Sequence, residues 1–184
     1  MKKFSLALGV LCVLAAVAAA QTGGAYSVGD TGPGGGTIFY VSRSGFVMAD
    51  TGQTCHYLEA APANVGSPSY WAQSISLNIG GTETAIGTGR KNTAIILNAD
   101  RNAPAAKICN EYSNNGKSDW FLPSKDELAQ IYANRSPVGN MGTNDFWSSS
   151  QYNNTRAWNL NFNNGNQDNS SKGTYKRVRP IRAF

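Results

Sequence analysis

Polar and apolar residues alternate with a period of two near the end of the chain. Residues 158 to 163 read WNLNFN, so every second position is an asparagine. Because successive side chains of a β-strand point to opposite faces, this pattern predicts a strand with one buried and one exposed side. The side expected to be buried carries Trp158, Leu160 and Phe162. The side expected to be exposed carries Asn159, Asn161 and Asn163.

The middle of the chain has apolar residues at helical spacing instead. Residues 92 to 100 and 103 to 112 lie on either side of Pro104, so we expect one broken helix or two short ones. Another helix is predicted to begin at Ser124, because Glu127 stands three residues later and the two residues can form a capping box. The apolar stripe of this helix, which we expect to pack in the core, consists of Leu128, Ile131 and Tyr132.

Strands are also predicted before the helices. Residues 26 to 36 are rich in turn-forming glycine, and residues 37 to 41 carry the β-branched and aromatic side chains typical of a strand. We expect residues 45 to 50 to return antiparallel to that strand, and HYLEAAP to begin as another strand that stops at Pro62. Strands, helices and then strands again predict an α+β fold.

The N-terminus has the pattern of a secretory signal peptide. Two lysines precede an apolar run from Phe4 to Ala20, which ends with small residues in A-x-A spacing. We therefore expect residues 1–20 to be removed and residues 21–184 to form a single domain. An anchoring helix is the alternative, but the run is short for a membrane span. The expected location is secreted, periplasmic or at the bacterial cell surface.

Net charge and cysteine content limit the classes of protein to which this chain can belong. Loss of the leader lowers the formal net charge from +5 to +3, too little to indicate nucleic-acid binding by itself. The cysteines left in the exported chain are Cys55 and Cys109, which suggests one disulfide. Two buried free thiols are the alternative, since the sequence does not give their separation.

Several segments together resemble one known family: VGDTGPGGGTIFYV, YLEAAP, AIGTGRKNTAIIL, SDWFLPSKDELAQIY, FWSSSQY, AWNLNF and RVRPIRAF. In this combination they are similar to the Lcl C-terminal-domain family of exported bacterial domains, and the resemblance covers nearly all of residues 26–184. It implies a C-type-lectin-like fold, with two helices flanking a small twisted antiparallel sheet and a binding face formed by the late strands and loops.

The asparagine-rich end is also similar to the variable region of proteins diversified by retroelements that mutate adenines. Asparagine codons begin with two adenines, so an asparagine-rich stretch marks positions where variation is allowed. This resemblance implies an exported ligand-binding or adhesion protein with a face open to diversification. The alternative is that these residues occupy solvated turns, where asparagine tolerates left-handed backbone. The candidate ligand-binding residues are Asn153, Asn154, Asn159, Asn161, Asn163, Asn164, Asn166 and Asn169.

The basic end of the chain is a second candidate. The collagen-like adhesin that gives the family its name implies binding of sulfated glycosaminoglycans, and clustered Lys and Arg hold sulfates by charge-assisted hydrogen bonds. The residues for this anion-binding alternative are Lys172, Lys176 and Arg177. For Arg179 and Arg182 we favour a structural role in which they pair with carboxylates of the helices.

Most enzymatic functions are disfavoured because the chain lacks the residues that they require. His56 is the only histidine, so a multi-histidine metal site cannot form, and an enzyme of the formylglycine-generating kind would need Cys55 or Cys109. The phosphate-loop-like GTGRKNT has Asn where Ser or Thr is required. Carboxylates are too scattered to indicate calcium. We expect no catalysis, metal or cofactor, and a protein or glycan ligand, with an anchoring partner or an oligomer both compatible with the sequence.

Overall fold

The computed structural model describes residues 26–184, so the predicted signal peptide lies outside the described residues. This part of the chain is a mixed α/β structure with six strands and four helices. The strands are β1 (Thr37–Val47), β2 (Thr54–Ala60), β3 (Asp145–Gln151), β4 (Arg156–Asn161), β5 (Gln167–Ser171) and β6 (Ile181–Ala183). The helices are α1 (Gly89–Ala99), α2 (Pro104–Asn110), α3 (Lys125–Ala133) and α4 (Arg135–Val138). None of these helices is long and apolar enough to cross a membrane.

The strands form two antiparallel sheets of three strands each rather than the single sheet expected. The first sheet has the order β1-β2-β6 and the second has the order β3-β4-β5. The prediction that residues 45 to 50 reverse direction is wrong, because β1 continues to Val47 and β2 is its antiparallel partner. Gly45, at φ 79°, lies in an irregularity between Val41 and Phe46 that bends β1 without turning it back.

The helical predictions are confirmed. Two short helices, α1 and α2, flank the break, and Pro104 occupies the first turn of α2, where its missing N–H costs nothing. The capping box of α3 is formed: the Glu127 N–H donates to Ser124 Oγ at 3.2 Å, and the Ser124 N–H donates to Glu127 Oε2 at 2.7 Å. Leu128 and Ile131 are buried, as expected for the apolar stripe.

The core consists of two hydrophobic clusters on opposite faces of the second sheet. The first core cluster contains residues of both sheets and of α3, and the second is formed with α1, α2 and the segment before them. Side chains that alternate along β3 and β4 therefore enter different clusters, so the second sheet is covered on both faces. Members of the first cluster include Phe39, Leu58, Leu128, Phe146 and Leu160. Members of the second include Trp71, Ile96, Cys109, Trp147 and Ala157.

The phosphate-loop-like segment GTGRKNT has a structural role, as its rejection from the sequence implies. It leads into α1, and the Gly87 N–H donates to Glu127 Oε1 at 2.8 Å. Gly89 also bonds to this carboxylate through its backbone, and a Cβ at position 89 would collide with Glu127 Oε2. The amides that would cradle a phosphate thus hold a glutamate of the same chain. Glu127 is fully buried, and burial raises its pKa to about 7.

The predicted disulfide is wrong. Both cysteine thiols are free and buried, with Cys55 in the first core cluster and Cys109 in the second. Because the second sheet separates these clusters, the two sulfurs occupy different parts of the core. Burial raises the pKa of each thiol above its usual value, so both remain protonated at neutral pH.

The first described residue and the last residue of the chain lie close together. Tyr26 packs edge-on against Tyr57 and Phe184, with ring centroids 5.3 and 5.5 Å away, and Tyr57 stacks on Phe184 at 5.3 Å. All three rings pack beside the first sheet, where the backbone of Phe184 bonds to that of Tyr57.

Candidate functional site

The eight candidate asparagines do not form one face. Asn153 and Asn154 lie in the turn before β4, whereas Asn163, Asn164 and Asn166 lie in the turn that follows it. Five steps of about 3.3 Å separate the two ends of this strand, so the two turns are about 17 Å apart. The remaining three candidates lie in the strands, and each of them has structural contacts.

Asn159 contradicts the prediction that it is displayed. It is only 3% exposed, and its Nδ2 donates to Asp168 O and Ser170 Oγ, both at 3.1 Å. The physical reason is the second core cluster, which covers the face of β4 that the alternating pattern assigned to solvent. Leu160 and Phe162 are buried on the other face, as predicted, but Trp158 is only partly buried.

Several of the other asparagines cap turns. Asn161 is partly buried; its Nδ2 donates to Asp145 Oδ1 at 2.7 Å and its Oδ1 accepts the Asn163 N–H at 2.8 Å. The Oδ1 of Asn153 accepts two N–H groups of its own turn, and that of Asn164 accepts one. For these residues the turn interpretation accounts for the choice of asparagine.

Three candidates keep free side chains. The side chains of Asn154, Asn163 and Asn166 are exposed and make no hydrogen bond to the described part of the chain. Asn169 is partly buried, and its Oδ1 accepts from the Arg156 guanidinium at 2.7 Å. This last contact belongs to a surface that the sequence did not indicate.

We call this the hairpin surface, on the side of the β4–β5 hairpin that also carries Leu160. Tyr152 is 51% exposed and packs edge-on against Trp158, with ring centroids 5.1 Å apart. The Lys125 ammonium lies 4.4 Å from the centre of the Trp158 ring. The hairpin surface is formed by Lys125, Tyr152, Arg156, Trp158, Gln167 and Asn169.

Antiparallel pairing holds the hairpin surface in place. Trp158 pairs with Asn169 across the strands, Leu160 pairs with Gln167, and the fixed register places these side chains on one face. Arg156 is exposed and donates to both the side chain and the carbonyl of Asn169. A sequence pattern did not reveal this surface because Trp158 was assigned to the core. The signal available was Tyr152, an aromatic residue beside a turn.

The basic end does not form the expected anion-binding surface. Lys172 is fully buried, and its ammonium donates to Leu77 O, Gln151 Oε1 and Asn154 O at 2.7, 2.7 and 2.9 Å. It also lies 4.9 Å from the ring centre of Trp71. Burial lowers the pKa of Lys172 to about 8. Lys172 therefore links three segments of the chain, and none of its N–H groups is free to bind a sulfate.

The neighbouring basic residues also have internal roles. Lys176 is 6% exposed and forms an ion pair with Asp145 at 2.7 Å, and Arg177 is partly buried. Arg182 pairs with Glu59 at 3.3 Å and with Asp119 at 2.8 Å, which confirms its structural role, although neither carboxylate lies in a helix as predicted. Arg179 is buried as well, but it donates to carbonyl oxygens and to the Met141 sulfur rather than to a carboxylate. These basic residues are close together in the sequence, but they do not form a cluster on the surface.

The candidate catalytic groups are dispersed. His56 follows Cys55 in β2, but His56 is exposed, with its Nδ1 2.9 Å from Ser42 O, whereas Cys55 is buried in the core. Neighbouring side chains of a strand point to opposite faces, so the imidazole and the thiol are not paired. Within residues 26–184, no three His, Cys, Asp or Glu side chains are grouped so that they could hold a metal ion. Glu127 is enclosed by backbone donors.

Comparison with known proteins now places this chain. The model of the Lcl C-terminal domain matches residues 70–182, and no curated protein matches the chain. Among solved structures, a fimbrial protein from Bacteroides ovatus has a similar fold, with a TM-score of 0.52 and 15% identity. The similarity covers 81% of this chain and 44% of that one, so this chain spans less than half of its length. Because the family match covers more than half of the sequence, this protein belongs to the Lcl C-terminal domain family.

Proposed function

We propose that this protein is an extracellular or cell-surface binding protein that recognises a protein or glycan through the hairpin surface. The observation that carries the proposal is the presence of Tyr152, Trp158 and Arg156 side by side on a regular β-hairpin. Trp, Tyr and Arg are the residue types that dominate the energetics of protein interfaces. Tyr152 is 51% exposed, so its ring is accessible to a ligand.

The hairpin surface is preorganised, which favours binding. Trp158 is held between the Tyr152 ring and the Lys125 ammonium, and Arg156 is oriented by Asn169. Side chains that are already ordered lose little conformational entropy when a ligand binds. The aromatic rings offer apolar contact, while the guanidinium and carboxamide groups offer hydrogen bonds. This combination suits a polar ligand with flat or ring-shaped parts.

Family membership and the fimbrial fold neighbour support a location outside the cell, together with the signal-peptide pattern. A C-type-lectin-like fold and the absence of catalysis are part of the same proposal. The anionic-glycan alternative is weakened by the burial of Lys172 and Lys176, which removes two of its three cations from the surface.

Diversification of the asparagines remains a proposal in a narrower form. Variation is compatible with the free side chains of Asn154, Asn163 and Asn166, whereas Asn159 and Asn161 have structural hydrogen bonds. The gene provides the test. We expect a near-identical copy of this region beside a reverse transcriptase gene, with the differences between the two copies confined to positions where that copy carries adenine. The absence of such a copy, or differences spread over other bases, would contradict diversification.

The binding proposal is tested with a glycan and host-protein array, using protein purified from cells that express the full chain. A variant with both Tyr152→Ala and Arg156→Ala removes an exposed aromatic ring and an exposed cation of the hairpin surface. Loss of two interface anchors should lower affinity for a hit by about tenfold or more. Tyr175→Ala is the matched control, since Tyr175 is 62% exposed and stacks on Tyr70 instead.

Two outcomes would refute the binding proposal. A hit that binds the double variant as well as the unchanged protein would remove the hairpin surface from recognition. A hit that is lost equally in the Tyr175 control would show that the effect is not specific to this surface. Circular dichroism of each variant establishes that the fold is retained.

A further inference from the structure

A cleft on the first sheet has the features of a separate ligand site. It has a volume of about 610 Å³ and lies between the segment that begins at Tyr26 and the irregular part of β1. Volumes of about 300 to 1,000 Å³ are typical of small-molecule sites. We call it the aromatic cleft. Its lining includes Tyr26, Val28, Val41, Arg43, His56 and Tyr57.

Two features of the chain form the aromatic cleft. The irregularity between Val41 and Phe46 separates this part of β1 from β2, and His56 Nδ1 contacts Ser42 O at 2.9 Å to fix the separated segment. On the other side, Tyr26 is anchored edge-on against Tyr57. The walls are therefore held by contacts within the fold. The cleft lies entirely outside residues 70–182, the part that matches the family.

The lining has polar groups that the fold does not use. The Arg43 side chain is exposed and has no ion pair or hydrogen bond with the rest of residues 26–184. The hydroxyl groups of Tyr26 and Tyr57 have no hydrogen-bond partner in that range either. No Asp or Glu side chain lines the cleft. An aromatic and aliphatic floor with one uncommitted cation is complementary to a ring that bears a negative charge.

We propose that the aromatic cleft binds a small carboxylic acid with a flat or ring-shaped body. The Arg43 guanidinium would bind the carboxylate through two parallel N–H···O bonds, a geometry that matches the planar fork of arginine. The Tyr26 and Tyr57 rings would contact the ring of the ligand. An aromatic acid and a uronic acid share this chemistry, and the experiment separates them.

The test measures amide chemical shifts of the isotopically labelled full-chain protein during titration with phenylacetate or with glucuronate. Saturable shifts are expected at Val41, Arg43, His56 and Tyr57 with at least one of the two acids. The compound that responds identifies the ligand as an aromatic acid or as a sugar acid. Phenethylamine and glucose are controls that lack the carboxylate, and neither should shift these amides.

Arg43→Gln is the decisive variant, because an exposed side chain without a partner can change with little risk to folding. Loss of a charge-assisted contact should weaken binding of the acid by about tenfold or more. Arg156→Gln is the matched control and should leave this binding unchanged, since Arg156 belongs to the hairpin surface. The proposal is overturned if neither acid shifts the cleft amides at millimolar concentration, or if Arg43→Gln binds as well as the unchanged protein.

Discussion

Replacement of Glu127 by glutamine should make the stability of this protein less dependent on pH. The Glu127 carboxylate is fully buried and accepts backbone N–H groups of Gly87 and Ser124. Among residues 26–184, no lysine or arginine forms an ion pair with it. Hydrogen bonds favour its charged form, but burial without a cation dominates and raises the pKa from 4.5 to about 7.

The sign and size of the effect follow from this pKa. Between pH 5 and pH 8 the folded protein binds more protons at position 127 than the unfolded chain does. Rising pH therefore lowers the free energy of unfolding. For a pKa that rises from 4.5 to about 7 on folding, the loss is about 2 to 3 kcal/mol over this interval. Glutamine does not titrate, so the Glu127→Gln variant lacks this contribution at both pH values.

The assay is urea unfolding followed by tryptophan fluorescence, at pH 5 and at pH 8, for both proteins. The free energy of unfolding of the unchanged protein minus that of the variant should fall by about 2 to 3 kcal/mol from pH 5 to pH 8. Taking this double difference cancels the contribution of every other titrating group.

Glu111→Gln is the matched control, because the Glu111 side chain is 64% exposed. Its carboxylate lies 3.8 Å from the Lys107 ammonium, and such a solvent-exposed ion pair is weak. The double difference of this variant should lie within about 0.5 kcal/mol of zero. The reasoning is refuted if Glu127→Gln also gives a double difference this small, because the buried carboxylate would then titrate as it does in water.

The remaining predictions concern two polar groups, Lys172 and Asn159, that the sequence placed at the surface and that are buried in the structure. Lys172→Met should lower the free energy of unfolding by about 2 to 4 kcal/mol, because it removes three hydrogen bonds of a buried ammonium and leaves Leu77 O and Asn154 O without a donor. Chemical denaturation measures this, and an unchanged midpoint would contradict it. Asn159→Ala should cost about 1 to 3 kcal/mol through its two lost hydrogen bonds, whereas Asn163→Ala should stay within about 0.5 kcal/mol. Equal effects of the two asparagine variants in the same denaturation experiment would count against the assignment.

Local signals in the sequence predicted what local interactions determine. The capping box at Ser124 depends on residues three positions apart, so it was visible before the fold was known. The break at Pro104 is equally local. The alternating pattern around Leu160 identified a strand and one of its buried faces.

The errors arise where distant parts of the chain meet. Asn159 is buried because Trp71 and its neighbours cover the second face of the sheet, and nothing near position 159 indicates this. Lys172 follows the same logic, since its acceptor at Leu77 is 95 positions away. The partial exposure of Trp158, beside Lys125 of α3, is also a tertiary property. The candidate site is therefore formed mainly by aromatic and basic residues that neighbour the alternating asparagines, and not by the alternating asparagines themselves.

The packing of Tyr26 against Phe184 has a mechanical consequence. Because the two positions are only a ring contact apart, a force applied between them would act across a short distance on the first sheet. The hairpin surface belongs to the second sheet and lies outside this load path. Pulling on both positions should thus peel β6 and the segment at Tyr26 away before it distorts the β4–β5 hairpin. If the protein were held at these two positions, the hairpin surface would therefore keep its shape under tension.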